Sequence, residues 1–299
     1  MLTGTQILLL GGDARALEII HKLSELDAAV TLVGFDGLHT QLDGAVHASY
    51  DESLFENADV VVLPAVGTDD DGFITAVFSS EKLKLQDTHI ARLPKHSTVY
   101  TGMAKPYLRQ LCDSHNIRLV ELLDRDDVAI YNSIPTAEGA VMLAIQNTDI
   151  TIHGAECLVL GLGRTGLTLA RTLQGLGARV KAGVLAEADF ARAHEMGFRP
   201  FYTADLELHM SNPDLIFNTI PTMIVTAQMI AKLPSRAVII DLASKPGGTD
   251  FRFAERRGIK AILAPGLPGI VAPRTAGRIM ADCLSRLIQD DLQLRGDGR

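Results

Sequence analysis

The chain lacks the residues on which several classes of protein depend. It has no tryptophan, and aromatic residues make up only 5% of its 299 positions. Proteins that bind single-stranded nucleic acid stack bases on aromatic side chains, so this composition disfavours that class. Neither half of the chain contains a dense run of Lys and Arg. We therefore expect no nucleic acid among the partners of this protein.

Cysteines are few, and no long apolar run is present. Cys112, Cys157 and Cys283 form no CxxC pair and have no His at a spacing suited to zinc, which predicts reduced thiols, a cytoplasmic location and no metal site. The short apolar run from Ile7 to Leu10 follows no basic segment, so it predicts a buried strand and not a signal peptide. No run approaches the ~20 apolar residues of a membrane span, and we expect no membrane association.

Length and charge both indicate two domains. Single hydrophobic cores stop growing at roughly 250–300 residues, and the chain is at that limit. Residues 1–133 carry a net charge of −10 and residues 134–299 a net charge of +2, which favours a boundary between them. We predict a substrate-binding and catalytic domain over 1–133 and a dinucleotide-binding domain over 134–272. A final helix over 273–293 is predicted to pack back on the first domain.

Short apolar runs alternate with amphipathic segments in both halves. This alternation predicts an α/β protein with two doubly wound parallel sheets, of which the C-terminal one belongs to a Rossmann domain. An apolar helix over about 137–146, with Pro135 near its start, is predicted to join the two domains. The predicted strands are 7–10, 30–33, 60–63, 98–100, 118–122, 156–160, 178–182, 215–218, 237–241 and 260–263.

The segment Leu158–Gly166, LVLGLGRTG, runs from a strand directly into a GxGxxG pattern. Gly161 would allow the tight turn, Gly163 would let the backbone approach a pyrophosphate, and Gly166 would let the helix pack closely on the strand. A helix follows and Gly177 ends it, so the pattern has its full strand–turn–helix context. We favour dinucleotide binding over a simple turn.

The end of the second strand bears on the choice between NAD and NADP. An NAD site has an acid about 20 residues after the first glycine, which binds the ribose hydroxyls. Residues 181–185 contain no acid, and the first one is Glu187. Arg164, Lys181 and Arg192 are nearby bases. The sequence therefore favours NADP, with NAD as the alternative if these bases only face solvent.

Ligands of doubly wound sheets lie beyond the carboxyl ends of the strands. In the second domain this rule selects residues 218–221, 241–248 and 264–269, all rich in Pro, Gly and small residues. Lys245 is the most prominent charge among them. It would bind a substrate carboxylate or move a proton, or else form a surface ion pair.

In the first domain the same rule selects residues 11–15, 64–68 and 101–102. Gly11-Gly12 lacks the spacing of a second dinucleotide fingerprint, so we predict that this domain holds the substrate. Arg15 would bind a carboxylate bidentately or would face solvent. Asp69–Asp71 is interpreted as a solvated loop and not as a metal site.

Five segments together resemble the A subunit of bacterial dipicolinate synthase. They are ILLLGGDAR at 7–15, RDDVAIYNSIPTAEG at 125–139, LVLGLGRTG at 158–166, DLASKPGGTDF at 241–251 and APGLPGIVAPRTAG at 264–277. The resemblance spans nearly the whole chain. It implies an oxidoreductase of the spore-forming mother cell that makes dipicolinate from a dihydrodipicolinate-type precursor of the lysine pathway, with a nicotinamide cofactor. It also implies that the partner is a flavoprotein-like B subunit, and we expect an oligomer.

The resemblance implies that Gly161, Gly163 and residues 164–166 bind the phosphates and that residues 218–221 and 243–245 lie near the nicotinamide. The other site residues are predicted from the strand ends and from the charges that a dicarboxylate needs. The family commonly has Gly-Ala-Arg where this chain has Gly183-Val184-Leu185, which removes an Arg suited to a 2′-phosphate. The predicted substrate contacts are Arg15, Gly67, Thr68, Thr101, Gly102, Lys105 and Arg274, with Lys245 as the catalytic candidate. The predicted cofactor contacts are Gly161, Leu162, Gly163, Arg164, Thr165, Gly166, Gly183, Val184, Leu185, Asn218, Thr219, Ile220, Pro221, Ala243, Ser244, Lys245, Gly266 and Pro268.

Two other functions stay open. A two-domain amino-acid or hydroxy-acid dehydrogenase would need a His opposite the nicotinamide, and no His falls in the strand-end loops of the second domain. A regulatory dinucleotide-binding subunit would bind the cofactor without hydride transfer.

Overall fold

A computed structural model describes residues 1–38 and 42–296 and divides them into two compact units. Unit 1 contains Met1–Val128 and the chain from Pro273 onward, and unit 2 contains Ala129–Ala272. The boundary predicted from the sequence lies after residue 133.

Each unit is built on a six-stranded parallel sheet. The strands of unit 1 are β1 (Gln6–Leu10), β2 (Ala29–Val33), β3 (Ala45–His47), β4 (Val60–Val62), β5 (Phe73–Ile74), β6 (Leu83–Lys84), β7 (Thr98–Thr101) and β8 (Arg118–Glu121). Those of unit 2 are β9 (Glu156–Leu160), β10 (Arg179–Val184), β11 (Arg199–Tyr202), β12 (Leu215–Asn218), β13 (Val238–Asp241) and β14 (Lys260–Leu263). The strands β5 and β6 pair with each other in a small antiparallel sheet.

The two large sheets have the same strand order. It is β3-β2-β1-β4-β7-β8 in unit 1 and β11-β10-β9-β12-β13-β14 in unit 2. The winding therefore reverses between β1 and β4 in one unit and between β9 and β12 in the other, and such reversals are where α/β sheets bind ligands. The prediction of two doubly wound parallel sheets is confirmed.

Ten helices of the described residues cover or flank these sheets. They are α1 (Ala14–Glu25), α2 (Asp87–Ala91), α3 (Pro106–Ser114), α4 (Asp126–Asn147), α5 (Arg164–Gly175), α6 (Glu187–Glu195), α7 (Ala227–Ala231), α8 (Phe251–Arg257), α9 (Leu267–Val271) and α10 (Pro273–Gly296).

The helix predicted over 137–146 is longer than expected, because α4 begins at Asp126 and Pro135 lies inside it. A proline within a helix removes one backbone hydrogen bond. Packing outweighs this loss, since Ala137, Ala140 and Ala144 are buried in the core of unit 2. Among the described residues, α4 is the one helix that is long and apolar enough to span a membrane. Core helices of soluble proteins also meet these criteria of length and composition, and 44% of the most apolar 18-residue stretch of α4 is buried inside the protein.

The last helix packs on the first one within unit 1. Gly277 permits close approach, because a Cβ there would lie 2.6 Å from the carbonyl oxygen of Arg15. Glu18 of α1 accepts hydrogen bonds from Arg274 (2.9 Å) and Arg278 (2.7 Å) of α10. Burial raises the pKa of Glu18, but Arg278 and Arg274 outweigh that effect and lower it.

Candidate functional site

The turn between β9 and α5 requires glycine at two positions for internal packing. A Cβ on Gly161, whose φ is +88°, would lie 2.5 Å from Thr219 Oγ1. A Cβ on Gly166 would lie 1.9 Å from the carbonyl oxygen of Gly161. These two glycines would be needed whether or not a ligand binds.

Gly163 differs from its neighbours because no contact with the described residues requires a glycine there, although glycine is also a favoured residue at a helix N-cap. It has an ordinary φ of −74°, and no heavy atom lies within 4 Å of the position that a Cβ would take. The chain leaves open space at this point of the turn. A backbone bare of side-chain atoms beside open space is what close approach by a pyrophosphate requires.

The same glycine begins α5 without a capping side chain. The first backbone N–H groups of a helix have no partners within the helix. They carry the positive end of the helix dipole and form a ready site for phosphate. The residues present therefore fit a dinucleotide.

A buried polar network fixes the two loops that follow β12 and β13. Asn218 and Asp241 are both 0% exposed, and Asn218 Nδ2 donates to Asp241 Oδ1 at 3.0 Å. Asn218 also accepts from the backbone N–H of Ile220 (3.0 Å) and donates to its carbonyl (3.0 Å). The side chain of Asn218 is thus hydrogen-bonded inside the protein, where it shapes the loop.

Asp241 holds the loop that carries the predicted residues Ala243, Ser244 and Lys245. Its carboxylate accepts from the N–H groups of Ala243 (3.1 Å) and Gly248 (2.8 Å). It also accepts from Thr249 Oγ1 at 2.6 Å. Sequence reasoning did not single out Asp241, although an acid at the end of a buried strand was a usable signal.

Lys245 lies at the exposed tip of this loop, beside Ser244 and before Pro246. It forms no ion pair with any residue that the structure describes. The surface ion pair considered for Lys245 is therefore absent from the described part of the chain, and its ammonium group is available to an anion.

The end of β10 carries a side chain with little contact to the protein. Leu185 is 86% exposed at the position where NAD enzymes carry an acid. Two of the bases that favoured NADP are paired with acids: Lys181 with Glu156 (3.5 Å) and Arg192 with Glu195 (3.6 Å). These contacts weaken the charge argument for NADP without supplying the acid that would favour NAD.

The remaining predicted cofactor residues lie around the same edge of the sheet. Thr219 Oγ1 donates to the carbonyl of Leu160 at 2.8 Å, which ties the β12 loop to the end of β9. Gly266 adopts a φ of +69° at the start of α9, with no heavy atom within 4 Å of a Cβ, and Pro268 is buried in that helix.

In unit 1 the loops after β4 and β7 bring four predicted residues together. Thr101 Oγ1 donates to the carbonyl of Pro64 at 2.7 Å. A Cβ on Gly67 would lie 2.9 Å from Thr101 Oγ1, and one on Gly102 would lie 2.4 Å from the carbonyl of Ala65. Thr68 is 1% exposed, and its hydroxyl has no hydrogen-bond partner among the described residues.

The predicted carboxylate anchors of unit 1 are already paired with acids. Arg15 binds both oxygens of Asp13, with Nη2–Oδ2 at 2.6 Å and Nε–Oδ1 at 3.0 Å. Lys105 pairs with Asp70 at 3.1 Å, and Arg274 pairs with Glu18 on α1. A substrate carboxylate would have to compete with each of these acids.

The Gly11-Gly12 turn of unit 1 is covered by the chain itself. Gly12 donates its N–H to the carbonyl of Thr75 (2.8 Å) and accepts from Val77 N–H (2.9 Å). Asp13 caps α1 by accepting from Arg15 N–H at 3.0 Å. The helix end that binds phosphate in other sheets of this order is therefore occupied by protein groups.

The acidic run after β4 is built as a turn. Asp69 Oδ1 accepts from the N–H groups of Asp71 (3.0 Å) and Phe73 (2.8 Å). Among the described residues no group of three or more His, Cys, Asp and Glu is arranged to hold a metal ion.

Comparison with known proteins gives matches to two family profiles. Residues 6–123 match the N-terminal domain of the dipicolinate synthase A subunit. Residues 132–290 match the alanine dehydrogenase/PNT C-terminal domain.

Individual relatives cover nearly the whole chain. The dipicolinate synthase A subunit of Bacillus subtilis (strain 168) is 50% identical over 97% of this chain and 98% of its own length. The crystal structure of the dipicolinate synthase A subunit from Bacillus halodurans has a TM-score of 0.94 and 51% identity, and covers 96% of this chain and 98% of that one. A transhydrogenase structure from Sinorhizobium meliloti shares the fold. Its TM-score is 0.70 at 18% identity, over 96% of this chain and 95% of that one.

Proposed function

Because the chain belongs to the family of dipicolinate synthase A subunits, we propose that it oxidises a dihydrodipicolinate-type precursor of the lysine pathway to dipicolinate and passes the hydride to NADP. The single observation that carries the cofactor half of this proposal is Gly163, whose Cβ position faces open space at the uncapped start of α5. Its dehydrogenase-like domain implies a nicotinamide dinucleotide; the preference for NADP over NAD is our proposal.

The reaction balances without a further oxidant. A dihydropyridine ring that loses a hydride and a proton becomes an aromatic pyridine, so the substrate itself supplies the driving force. The nicotinamide, when bound, accepts the hydride. The protein has to hold the two rings together, bind two carboxylates and let the proton leave.

The residues of unit 2 divide this work among five strand-end loops. Backbone N–H groups from Gly161 to Gly166 would bind the pyrophosphate, together with Leu162, Arg164 and Thr165. Residues 219–221, 243–245, Gly266 and Pro268 would shape the nicotinamide end, and residues 183–185 the adenosine end. Lys245, exposed and without an ion pair to any described residue, would bind a substrate carboxylate or accept the proton.

Unit 1 would bind the dicarboxylate at the carboxyl edge of its sheet. The buried Thr68 hydroxyl lacks a partner among the described residues, so it has a hydrogen bond to donate. The same two loops contain Gly67, Thr101 and Gly102, which would pack beneath the substrate. Arg15 and Lys105 would contribute only where the substrate outcompetes Asp13 and Asp70, and Arg274 only where it outcompetes Glu18.

The family is named for one subunit of a synthase, which implies a partner chain. We propose that this partner is a flavoprotein-like B subunit, that the chain assembles into an oligomer, and that both act in the cytoplasm of the mother cell.

Two linked absorbance assays on the purified chain test the proposal. One follows nicotinamide reduction with freshly made dihydrodipicolinate precursor and compares NADP with NAD, with and without the B subunit. The other follows the pyridine dicarboxylate spectrum. The proposal expects equal amounts of reduced cofactor and pyridine product, and Gly175→Ala, a change in α5 beside open space, should leave both rates unchanged.

The proposal would be contradicted if the chain binds the cofactor but shows no turnover with either NADP or NAD, both with and without the B subunit. That result would favour a regulatory dinucleotide-binding subunit.

A further inference from the structure

We propose that the side-chain amide of Asn132, in the N-terminal half of α4, binds the nicotinamide riboside half of the cofactor; this rests on the proposed function. Asn132 Oδ1 is shielded from solvent and has no hydrogen-bond partner among the described residues. An acceptor buried without a donor costs free energy, so such atoms in native proteins commonly receive a ligand or an ordered water.

The neighbour of Asn132 places it beside the dinucleotide turn. Ser133 Oγ lies 2.6 Å from Thr168 Oγ1. Thr168 itself bonds back to the carbonyl of Arg164, in the first turn of α5. The segment of α4 that contains Asn132 therefore lies against the start of the helix that would hold the pyrophosphate.

Further along, α4 contacts the opposite part of the same unit. A Cβ on Gly139 would lie 3.0 Å from Leu267 and 3.2 Å from Val271, both on α9. Since α9 follows β14, α4 lies between α5 and α9 and covers the part of the sheet that contains β12 and β13. Its alanines share a core cluster with Phe217 of β12 and Ile240 of β13.

This position selects one half of the cofactor. A dinucleotide lies across the reversal between β9 and β12, with its adenosine ribose at the end of β10. The nicotinamide half then extends over β12, on the side that α4 covers. Asn132, in the part of α4 that contacts α5 through Ser133, would therefore meet the nicotinamide half and not adenosine.

The chemistry of the orphan atom points the same way. Asn132 Oδ1 can only accept a hydrogen bond, and a pyrophosphate offers only acceptors. The nicotinamide riboside half offers two kinds of donor, the ribose hydroxyls and the carboxamide NH₂. Asn132 would hold the angle of the ring that receives the hydride.

Equilibrium binding to the full-length chain tests this role without any turnover. Calorimetric titrations would compare NADP, 2′-phospho-ADP-ribose and adenosine 2′,5′-bisphosphate, or NAD, ADP-ribose and ADP if the chain prefers NAD. For Asn132→Leu we expect NADP affinity to fall roughly three- to tenfold, the effect of one hydrogen bond, with no change for the bisphosphate. Asn132→Asp, which keeps the acceptor, should bind NADP more tightly than Asn132→Leu does.

2′-Phospho-ADP-ribose, which has the ribose but no carboxamide, identifies the donor. If Asn132→Leu weakens the binding of this ligand, the donor is a ribose hydroxyl; if the affinity is unchanged, the donor is the carboxamide NH₂. Asn147→Ala is the matched control, since Asn147 Nδ2 donates within the last turn of α4, and it should change none of the affinities.

An Asn132→Leu chain that melts like the wild type and binds NADP equally well would overturn this role. An equal loss with the bisphosphate would overturn it too. Failure of the wild-type chain to bind any of the ligands would instead refute the proposed function itself.

Discussion

The two units share one strand order but treat the same turn in opposite ways. In unit 2 the helix after the first strand begins at Gly163, uncapped and beside open space. In unit 1 the equivalent helix is capped by Asp13, and Gly12 is bonded to Thr75 and Val77. The shared topology therefore has two equivalent turns, and among the described residues a few local groups cover the one in unit 1 and leave the one in unit 2 open. Fold alone does not assign the function, and the proposed cofactor site rests on this local difference.

The largest expected effect comes from overpacking the contact between the β9–α5 turn of unit 2 and its helix. In Gly166→Ala the added Cβ would lie 1.9 Å from a backbone oxygen, so we expect a loss of about 3 kcal/mol of stability, the upper end for overpacking. Thermal unfolding followed by circular dichroism measures it. Gly175→Ala in the same helix meets nothing within 4 Å and should be neutral or stabilising; equal melting temperatures for the two variants would contradict the packing argument.

A sharper change separates binding from folding. Gly163→Ala adds a methyl group in open space at an ordinary φ, so the melting temperature should fall far less than in Gly166→Ala, by no more than the replacement of a favoured N-cap residue causes. The methyl group would occupy the approach of the pyrophosphate, and we expect the Kd for NADP to rise at least tenfold in a fluorescence titration. Unchanged affinity would mean that phosphate does not pass this glycine.

Lys245 tests whether the loop after β13 acts on substrate or on cofactor. Because Lys245 is exposed and has no ion pair with a described residue, and because only the backbone of residues 243–245 would shape the nicotinamide end, Lys245→Met should leave stability and NADP affinity nearly unchanged. We expect kcat/KM for the dihydropyridine to fall about tenfold or more, since a charge-assisted hydrogen bond would be lost. Steady-state kinetics with the precursor gives the answer, and wild-type kinetics would remove Lys245 from the site.

Leu185 tests the choice of cofactor. Leu185→Asp would place an acid at the end of β10, where it can accept from ribose hydroxyls and repel a 2′-phosphate. We expect the ratio of NADP to NAD affinity to fall roughly tenfold, measured by parallel titrations. Tyr202→Phe, at the end of the adjacent strand β11, keeps the ring stacked on Phe190 and should leave the ratio unchanged.

The smallest effect is expected from the cap of unit 1. Burial raises the pKa of Asp13, but its bonds to Arg15 outweigh burial and lower it from 3.8. A lowered pKa contributes stability above the unfolded-state value that is lost as the pH falls through the folded-state value. Asp13→Asn should therefore cost about 1 kcal/mol or less at pH 7 and progressively less as the pH falls below the unfolded-state value, with NADP binding unchanged. If the difference in unfolding free energy between Asp13→Asn and the wild type did not change with pH, an ion pair between Asp13 and Arg15 would not contribute to stability.

The fold was readable from the sequence because both sheets are buried and their strands are near-continuous apolar runs. The prediction failed where tertiary packing overrode local rules, as in α4, which continues through Pro135 because its alanines are buried. The glycine turn was also readable, since strand, turn and helix are consecutive in the chain.

Contacts between distant residues were not readable in the same way. The sequence around Gly12 does not indicate that its N–H bonds to Thr75, 63 residues away. Nor does the sequence show that the Asp241 carboxylate accepts hydrogen bonds from the loop of Lys245. The pairing of Arg15 with Asp13 spans only two residues, yet the sequence analysis considered only a ligand carboxylate or solvent as the surroundings of Arg15.

The most direct test of the account is the stoichiometry of cofactor binding to the full-length chain. Titration calorimetry with NADP should give one site per chain, with an affinity at least tenfold weaker in Gly163→Ala and unchanged in Asp13→Asn. Two sites per chain, or a site whose affinity is unchanged in Gly163→Ala and much weaker in Asp13→Asn, would show that the open turn of unit 2 is not where the dinucleotide binds.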